Sequence, residues 1–197
     1  SPQEGNMSYL KDTNSTEYYS GSAWVAVGGS SGNNFYAGKN AFINGAFQVW
    51  QRGTSISNFG FFSLYTADRW SFVSTNTGRT ISRQLTNDTT NLPNIQYCGR
   101  FQRDSGNTDT TYFQAAQSIE TLNSVRFAGK SVTLSFYARK GANYSPTSSL
   151  LTVSVKSGTG TDQQVSGYTG SVNVFDTTAT LTTTWQRFTY TGTVATN

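Results

Sequence analysis

The residues of this chain that could carry chemistry are carboxylates, tyrosines and amides, because the usual catalytic pairs are missing. The sequence contains no His and a single Cys, Cys98. Zinc sites and Ser-His-Asp or Cys-His catalysis depend on those residue types and are therefore excluded or nearly so. With one Cys there is no intramolecular disulfide framework. Cys98 lies in an alternating stretch and is expected to be a small buried apolar residue.

Glycoside hydrolysis is the reaction that acidic residues alone could support, since it needs two carboxylates at a set separation. Only ten Asp and Glu residues occur, and most of the Asp residues lie in turn-like sequences. Asp68, next to Arg69, is expected to cap a turn or form a local ion pair at the entry to a strand. Glu120 is expected to end a strand and to pair with a nearby Lys or Arg. We therefore predict no catalytic residue and no enzyme activity.

Tyrosines surrounded by many Asn and Gln residues give the positive indication of function. Sugars stack their C–H faces on aromatic rings, while amides and short polar side chains bond the sugar hydroxyls. The candidate glycan contacts are Tyr65, Tyr97, Tyr112, Tyr137 and Tyr144. Tyr137 lies in a predicted strand on the face opposite Val132, Leu134 and Phe136. Because side chains alternate between the two faces of a strand, Tyr137 is expected to point away from the core.

Composition favours an all-β protein with a polar but weakly charged surface. Aromatic residues make up 14% of the chain and charged residues only 12%, about half the usual share of charge. The net charge of +4 is spread along the chain without a basic cluster, so nucleic acid is not an expected partner. No apolar run approaches the roughly 20 residues of a membrane span, so membrane insertion is not expected. This composition suits an extracellular or virion protein better than a cytosolic enzyme.

Period-two alternation predicts the strands that must position these residues. It is clearest at 131–139, and around 40–72 it places Gln48 and Ser71 outward between inward-facing apolar neighbours. A short helix within 120–127, closed by Gly129, is the one helical element expected. The predicted core residues are Phe47, Val49, Trp50, Trp70, Phe72, Val132, Leu134, Phe136 and Trp185. Short strands separated by Gly, Asn, Asp and Ser indicate a β-sandwich.

Three regions are predicted along the chain. Residues 1–28 form a small antiparallel β-meander, which is too small to bury a core of its own and is expected to be an assembly module. Residues 29–39 are rich in Gly, Ser and Asn and are expected to be a linker. Residues 40–197 form a β-sandwich. It is expected to lack a closing strand, so that either the chain continues beyond Asn197 or another subunit completes the sheet.

Short motifs follow one another from residue 40 to the end of the chain. They are Ile43-Asn44-Gly45, Phe47, Val49-Trp50-Gln51-Arg52-Gly53-Thr54, Tyr65-Thr66-Ala67-Asp68-Arg69-Trp70, Gln117-Ser118-Ile119-Glu120, Phe127-Ala128-Gly129-Lys130 with Val132-Thr133-Leu134-Ser135-Phe136, and Thr184-Trp185-Gln186-Arg187. In this order they resemble a jelly-roll domain, similar to carbohydrate-binding modules, in tail-fibre and other virion proteins of tailed bacteriophages. The region 1–28 is similar to the short modules that precede domains in phage fibres.

The resemblance implies a non-enzymatic virion protein, above all a tail-fibre or receptor-binding component that contacts host surface glycans. It implies self-association as a homotrimer, contact with other virion proteins, and a place on an exposed fibre of the tail or capsid. The face that binds the ligand varies between such modules, so the resemblance assigns no glycan contact to any particular tyrosine. A structural Ca²⁺ is common in these sandwiches, but no spacing of Asn and Asp specifies its oxygen ligands here. No cofactor is therefore assigned.

Three other functions fit the same sequence. A capsid-attached fibre or decoration protein would differ only in its location on the virion. A carbohydrate-binding module of a bacterial polysaccharide-degrading enzyme would have a catalytic domain in the same reading frame. A depolymerase would release reducing sugar from the host polysaccharide, and the scarcity of carboxylates argues against it.

Overall fold

A computed structural model describes residues 1–10, 15–27, 40–59, 63–165 and 167–196. The predicted linker at 29–39 lies outside the described residues. The contacts divide the chain into two compact units, residues 1–41 and 42–197. Strands dominate both units, and the described residues contain a single four-residue α-helix, so the prediction of an all-β protein is confirmed.

The smaller unit is a three-stranded antiparallel sheet in the order β1-β2-β3. Its strands are β1 (Met7–Leu10), β2 (Ser15–Tyr19) and β3 (Trp24–Ala26). Between β2 and β3 the chain reverses tightly, since the Ser20 backbone N–H donates to the Ala23 carbonyl at 2.8 Å. Gly21 lies in this turn with φ of 92°, a conformation that favours glycine. The meander predicted from the sequence is therefore present.

The larger unit consists of antiparallel strands in four small sheets, ordered β4-β7-β8, β5-β6-β9, β10-β13 and β11-β12. The strands are β4 (Ser55–Phe59), β5 (Ser63–Tyr65), β6 (Ser71–Ser74), β7 (Arg79–Leu85), β8 (Tyr97–Arg103), β9 (Phe113–Ala116), β10 (Ser131–Ala138), β11 (Leu150–Ser157), β12 (Val172–Thr180) and β13 (Gln186–Thr193). The short helix α1 (Thr121–Ser124) continues into a 3-10 turn at Val125–Phe127. Gly129 follows with φ of 67°, as the sequence predicted.

Two apolar cores hold these sheets together in pairs. In the first core, Ile81 of β7 and Phe72 of β6 are both fully buried, with Trp50 and Ala67 beside them. In the second, Val153 of β11 and Ala179 of β12 are buried against the half-buried side chains of β10 and β13. Each core therefore lies between two sheets, which is consistent with a β-sandwich. These pairings do not establish the strand order of a single jelly roll.

Alternation in β10 is confirmed by its burial pattern. Val132, Leu134 and Phe136 are half-buried, while Tyr137 is exposed on the opposite face. Phe136 lies directly across from Phe188 of β13, and their rings stack at 5.5 Å. Among the other predicted core residues, Trp50 and Phe72 are buried, while Phe47, Trp70 and Trp185 are half-buried.

The strand predicted around Phe47 and Val49 is absent, and Val49 is 48% exposed rather than in the core. The Asn44 side-chain carbonyl accepts hydrogen bonds from the backbone N–H groups of Gln48 and Val49 at 2.9 and 3.0 Å. Those N–H groups are thus not available for pairing with a strand. Phe47 adopts φ of 52°, which is outside the strand region. Both predictions are therefore wrong, although Phe47 still contacts the first core.

A fully buried guanidinium fixes the loop between β8 and β9. Arg79 Nη2 donates to Asp109 Oδ2 at 2.8 Å. Asp109 also accepts from the Thr111 backbone N–H at 2.9 Å and from the Thr111 hydroxyl at 2.7 Å. These Thr111 bonds, and then the charge of Arg79, lower the pKa of Asp109 to about 2. Removing Asp109 would leave a buried charge unpaired, a change that is strongly destabilising in proteins.

The substitution Asp109→Asn tests this ion pair through the pH dependence of stability. Because its pKa is lower in the folded protein than the ordinary value near 4, charged Asp109 stabilises the fold above about pH 4. That contribution is lost as the pH falls toward 2. In denaturant unfolding, the variant should be clearly less stable than the wild type at pH 6, and the difference should shrink at pH 3 and below. Asp176→Asn, at an exposed position of β12, is the control. A difference that does not change with pH would contradict the assignment.

Candidate functional site

An open polar cleft of about 460 Å³ lies on the larger unit. Four segments line it, at 51–52, 65–69, 118–120 and 162–164. Their side chains bring together the ring of Tyr65, three carboxylates, two guanidinium groups and three amides. Tyr65 is 37% exposed, so part of its ring is open to a ligand.

Asn44 positions the wall of the cleft at 65–69. Its side-chain amide donates to the carbonyls of Val49 at 2.9 Å and of Asp68 at 3.1 Å. The Trp70 indole N–H donates to the Asn44 carbonyl at 3.0 Å, and the Phe47 ring stacks on Trp70 at 4.7 Å. Asn44 has φ of 56°, a left-handed conformation that Asn tolerates better than most residues. One side chain therefore joins the 44–49 segment to the turn that carries Asp68.

Asp68 is held by the neighbouring segment of the cleft rather than by Arg69. The Gln51 backbone N–H donates to Asp68 Oδ1 at 3.2 Å, and the Asp68 N–H donates to the Val49 carbonyl at 3.0 Å. The expected local ion pair with Arg69 is not formed, because Arg69 turns toward Glu120. Asp68 Oδ2 has no hydrogen-bond partner among the described residues and can accept a bond from a ligand.

Arg69 and Glu120 both line the cleft and form an ion pair, as the sequence predicted for Glu120. Glu120 precedes α1 rather than ending a strand. A hydrogen bond from its own backbone N–H, followed by bonds from Arg69 and Asn123, lowers the pKa of Glu120. Arg69 has φ of 73°, and its Nε is buried without a partner in the described structure.

The opposite wall is tied to the helix by a reciprocal pair of hydrogen bonds. The Thr121 backbone N–H donates to Asp162 Oδ1 at 2.9 Å, and the Asp162 N–H donates to the Thr121 hydroxyl at the same distance. The Tyr168 hydroxyl and Ser118 Oγ lie 3.1 Å apart and strengthen the same connection. Asp162 has φ of 47°, so this wall also contains a strained backbone position.

Some of the unsatisfied and strained groups of the described structure lie at this cleft, while others lie elsewhere. Thr66 in its wall is only 1% exposed, and its hydroxyl has no hydrogen-bond partner among the described residues. Arg69 and Asp162 both adopt positive φ. Buried polar groups are normally paired, and strain at non-glycine residues tends to cluster where proteins bind ligands. The cleft is the candidate functional site because it brings these groups together with the carboxylates, guanidinium groups and amides around Tyr65.

The five candidate tyrosines do not form one surface. Only Tyr65 lines the cleft. Tyr112, 57% exposed, precedes β9, and Tyr137 lies on the outer face of β10. Tyr97 is half-buried at the start of β8, where the Arg83 guanidinium lies 4.4 Å from its ring centre.

Tyr144 is placed differently from the expectation of an exposed ring. It packs against the second core, and its hydroxyl donates to the Leu150 carbonyl at 2.8 Å. Burial raises the pKa of this phenol. Because its ring contacts the core and its hydroxyl is already bonded within the protein, Tyr144 is a structural residue. The expectation that Tyr144 presents an exposed ring is therefore wrong.

Sequence reasoning identified one wall of the cleft and missed the other. The run from Tyr65 to Arg69 belongs to a motif that stood out in the sequence, and Glu120 belongs to another. Gln163 and Gln164 lie in a Ser-, Thr- and Gly-rich stretch with no distinguishing pattern. The only local signal was Asp162, and its contact with Thr121 spans 41 positions of sequence.

Comparisons of the chain with protein-family models, with curated proteins and with solved structures found no match. The resemblance to phage virion modules therefore rests on the sequence motifs alone. In the described part of the chain, no helix has the length and apolar character needed to cross a membrane. The same residues contain no group of three or more His, Cys, Asp or Glu side chains that could hold a metal ion.

Replacing Asn44 with Gly tests the role of its side chain in building the cleft. Glycine keeps the positive φ, so the substitution removes four hydrogen bonds without adding backbone strain. We expect the free energy of unfolding to fall by about 2 kcal/mol relative to the control. The control is Asn87→Gly, at a position with φ of 52° that forms no side-chain hydrogen bond in the described structure. Equal losses for both variants in urea denaturation would contradict the role of Asn44.

Proposed function

We propose that this chain is a non-enzymatic module that binds host surface glycans in the cleft beside Tyr65, as a component of an exposed bacteriophage fibre. The observation that supports glycan binding is the combination of an accessible ring with amides and carboxylates in one open cleft. The place on a virion is supported by the order of the sequence motifs. The sequence motifs that resemble phage virion modules overlap with the cleft, because residues 51–52, 65–69 and 118–120 belong to both.

The chemistry of the cleft suits a polyhydroxylated ligand. A sugar ring has an apolar C–H face, which can rest on Tyr65, and a rim of hydroxyls that both donate and accept. The amides of Gln51, Gln163 and Gln164 offer donors and acceptors, while Asp68 offers an acceptor. Because the cleft is open, a polymer can pass through it without a chain end having to enter.

The state of Glu120 favours binding over hydrolysis. A general acid for glycoside cleavage needs a raised pKa so that it carries a proton at neutral pH. The bond from its own backbone N–H, and then those from Arg69 and Asn123, act in the opposite direction and lower the pKa of Glu120. It therefore remains an ionised acceptor. This supports the proposal that the module holds glycans without cutting them.

Self-association is the second part of the proposal, and the sheet of the smaller unit supports it. The pairing of Met7 with Tyr18 and of Tyr18 with Val25 places these three side chains in one row on one face. Tyr9 and Val27 follow on the same face. All five side chains are between 40% and 68% exposed. Burying them against further copies in a homotrimer would raise the avidity of a weak glycan site without a new contact to the ligand.

Tyr65→Ala tests the glycan site in a cell-binding assay. Fluorescently labelled wild-type protein should bind host cells, and periodate oxidation of the cell-surface glycans should abolish that binding. The Tyr65→Ala variant should bind at least about tenfold more weakly, a loss of ~1.4 kcal/mol. Tyr112→Ala removes an exposed ring outside the cleft and serves as the control. Equal binding by both variants, or binding that survives oxidation, would reject the site.

Val25→Lys tests self-association through the exposed sheet face. Introducing a charge among Met7, Tyr9, Tyr18 and Val27 should block burial of this face and convert the trimer to monomer in light scattering. Ala26→Lys places the same charge on the neighbouring exposed residue, which faces the other side of β3, and should leave the trimer intact. A wild-type monomer at micromolar concentration would contradict the proposed trimer.

A further inference from the structure

We infer that the cleft selects neutral glycans and discriminates against acidic ones. The inference rests on the proposed function, since it names the class of glycan that the same site accepts. It starts from the charges of the lining residues, which are three carboxylates and two guanidinium groups. What matters for a ligand is which of these charges are already neutralised within the protein.

Neither guanidinium group is fully available to an incoming anion. Arg69 pairs with Glu120, and its buried Nε cannot be reached from solvent. Arg52 donates through Nη1 to the Tyr65 carbonyl at 3.2 Å and keeps its charge exposed. After the Arg69–Glu120 pair cancels, one guanidinium therefore faces the two carboxylates of Asp68 and Asp162.

Those two carboxylates are held in the same way and present acceptors to the cleft. In each, Oδ1 accepts a backbone N–H, from Gln51 for Asp68 and from Thr121 for Asp162. The Oδ2 atoms have no partner among the described residues, so they can accept bonds from ligand hydroxyls. Hydrogen bonds to an ionised acceptor are stronger than neutral ones. A uronate or sialate carboxylate cannot donate such a bond, and the two carboxylates of the cleft outweigh the single exposed guanidinium of Arg52, so the net effect on it is repulsion.

The first test is a glycan array that holds neutral oligosaccharides and their uronate- or sialate-bearing counterparts. Wild-type protein should bind acidic members about fivefold more weakly than the matched neutral ones at low salt. The difference in affinity between neutral and acidic members should narrow at 1 M NaCl, where charges are screened within about 3 Å. Equal or tighter binding of acidic members would overturn the inference and leave the proposed function standing. Binding to no glycan would overturn the proposed function itself.

The second test is the double variant Asp68→Asn with Asp162→Asn. Each amide keeps the carbonyl oxygen that accepts the backbone N–H, so the walls should keep their shape while losing two charges. The double variant should therefore bind neutral and acidic members about equally. Asp176→Asn, outside the cleft, should leave the preference unchanged. A double variant that folds, as judged by circular dichroism, and keeps the full preference would overturn the inference. If the double variant does not fold, the test is the salt dependence of wild-type binding. A preference for neutral members that does not narrow at 1 M NaCl would then overturn the inference.

Discussion

The candidate site depends on the side chain of one residue, Asn44. Its side chain forms four hydrogen bonds, three of them within the loop at 44–49 and one to the Asp68 carbonyl in the neighbouring turn. The Trp70 indole adds a fifth bond to the Asn44 backbone carbonyl. Only a residue that tolerates positive φ and carries both a donor and an acceptor can do this. The bond to the Asp68 carbonyl reinforces those that Asp68 forms with Gln51 and Val49, so the turn is held to this segment at several points.

The proposed function rests on how the remaining charges are arranged around Asn44. Arg69 and Glu120 neutralise one another in the lining of the cleft, while Thr121 holds Asp162. The result is a fixed set of acceptors beside an accessible ring. In the proposed fibre such a site would contribute modest affinity per copy, and several copies would compensate through avidity. A weak site and an assembly surface are therefore two parts of the proposed mechanism.

The sequence predicted regular strands well because alternation is a local property, as β10 and Tyr137 show. It failed at Val49, where side-chain hydrogen bonds from Asn44 replaced strand pairing. It also failed at Tyr144, because an aromatic ring with a polar tip fits a core as well as a surface once a carbonyl accepts its hydroxyl. The approach of Asp162 to the helix is a long-range contact that no local pattern encodes.

The most direct test of glycan binding in the cleft is an NMR titration of ¹⁵N-labelled protein with a neutral oligosaccharide that binds on the array. The largest amide shift changes should fall at 51–52, 65–69, 118–120 and 162–164. The outer face of β10 and β13, which carries Tyr137, should show little change. Changes concentrated on that face or in residues 7–27, with the cleft unaffected, would contradict the assignment of this site.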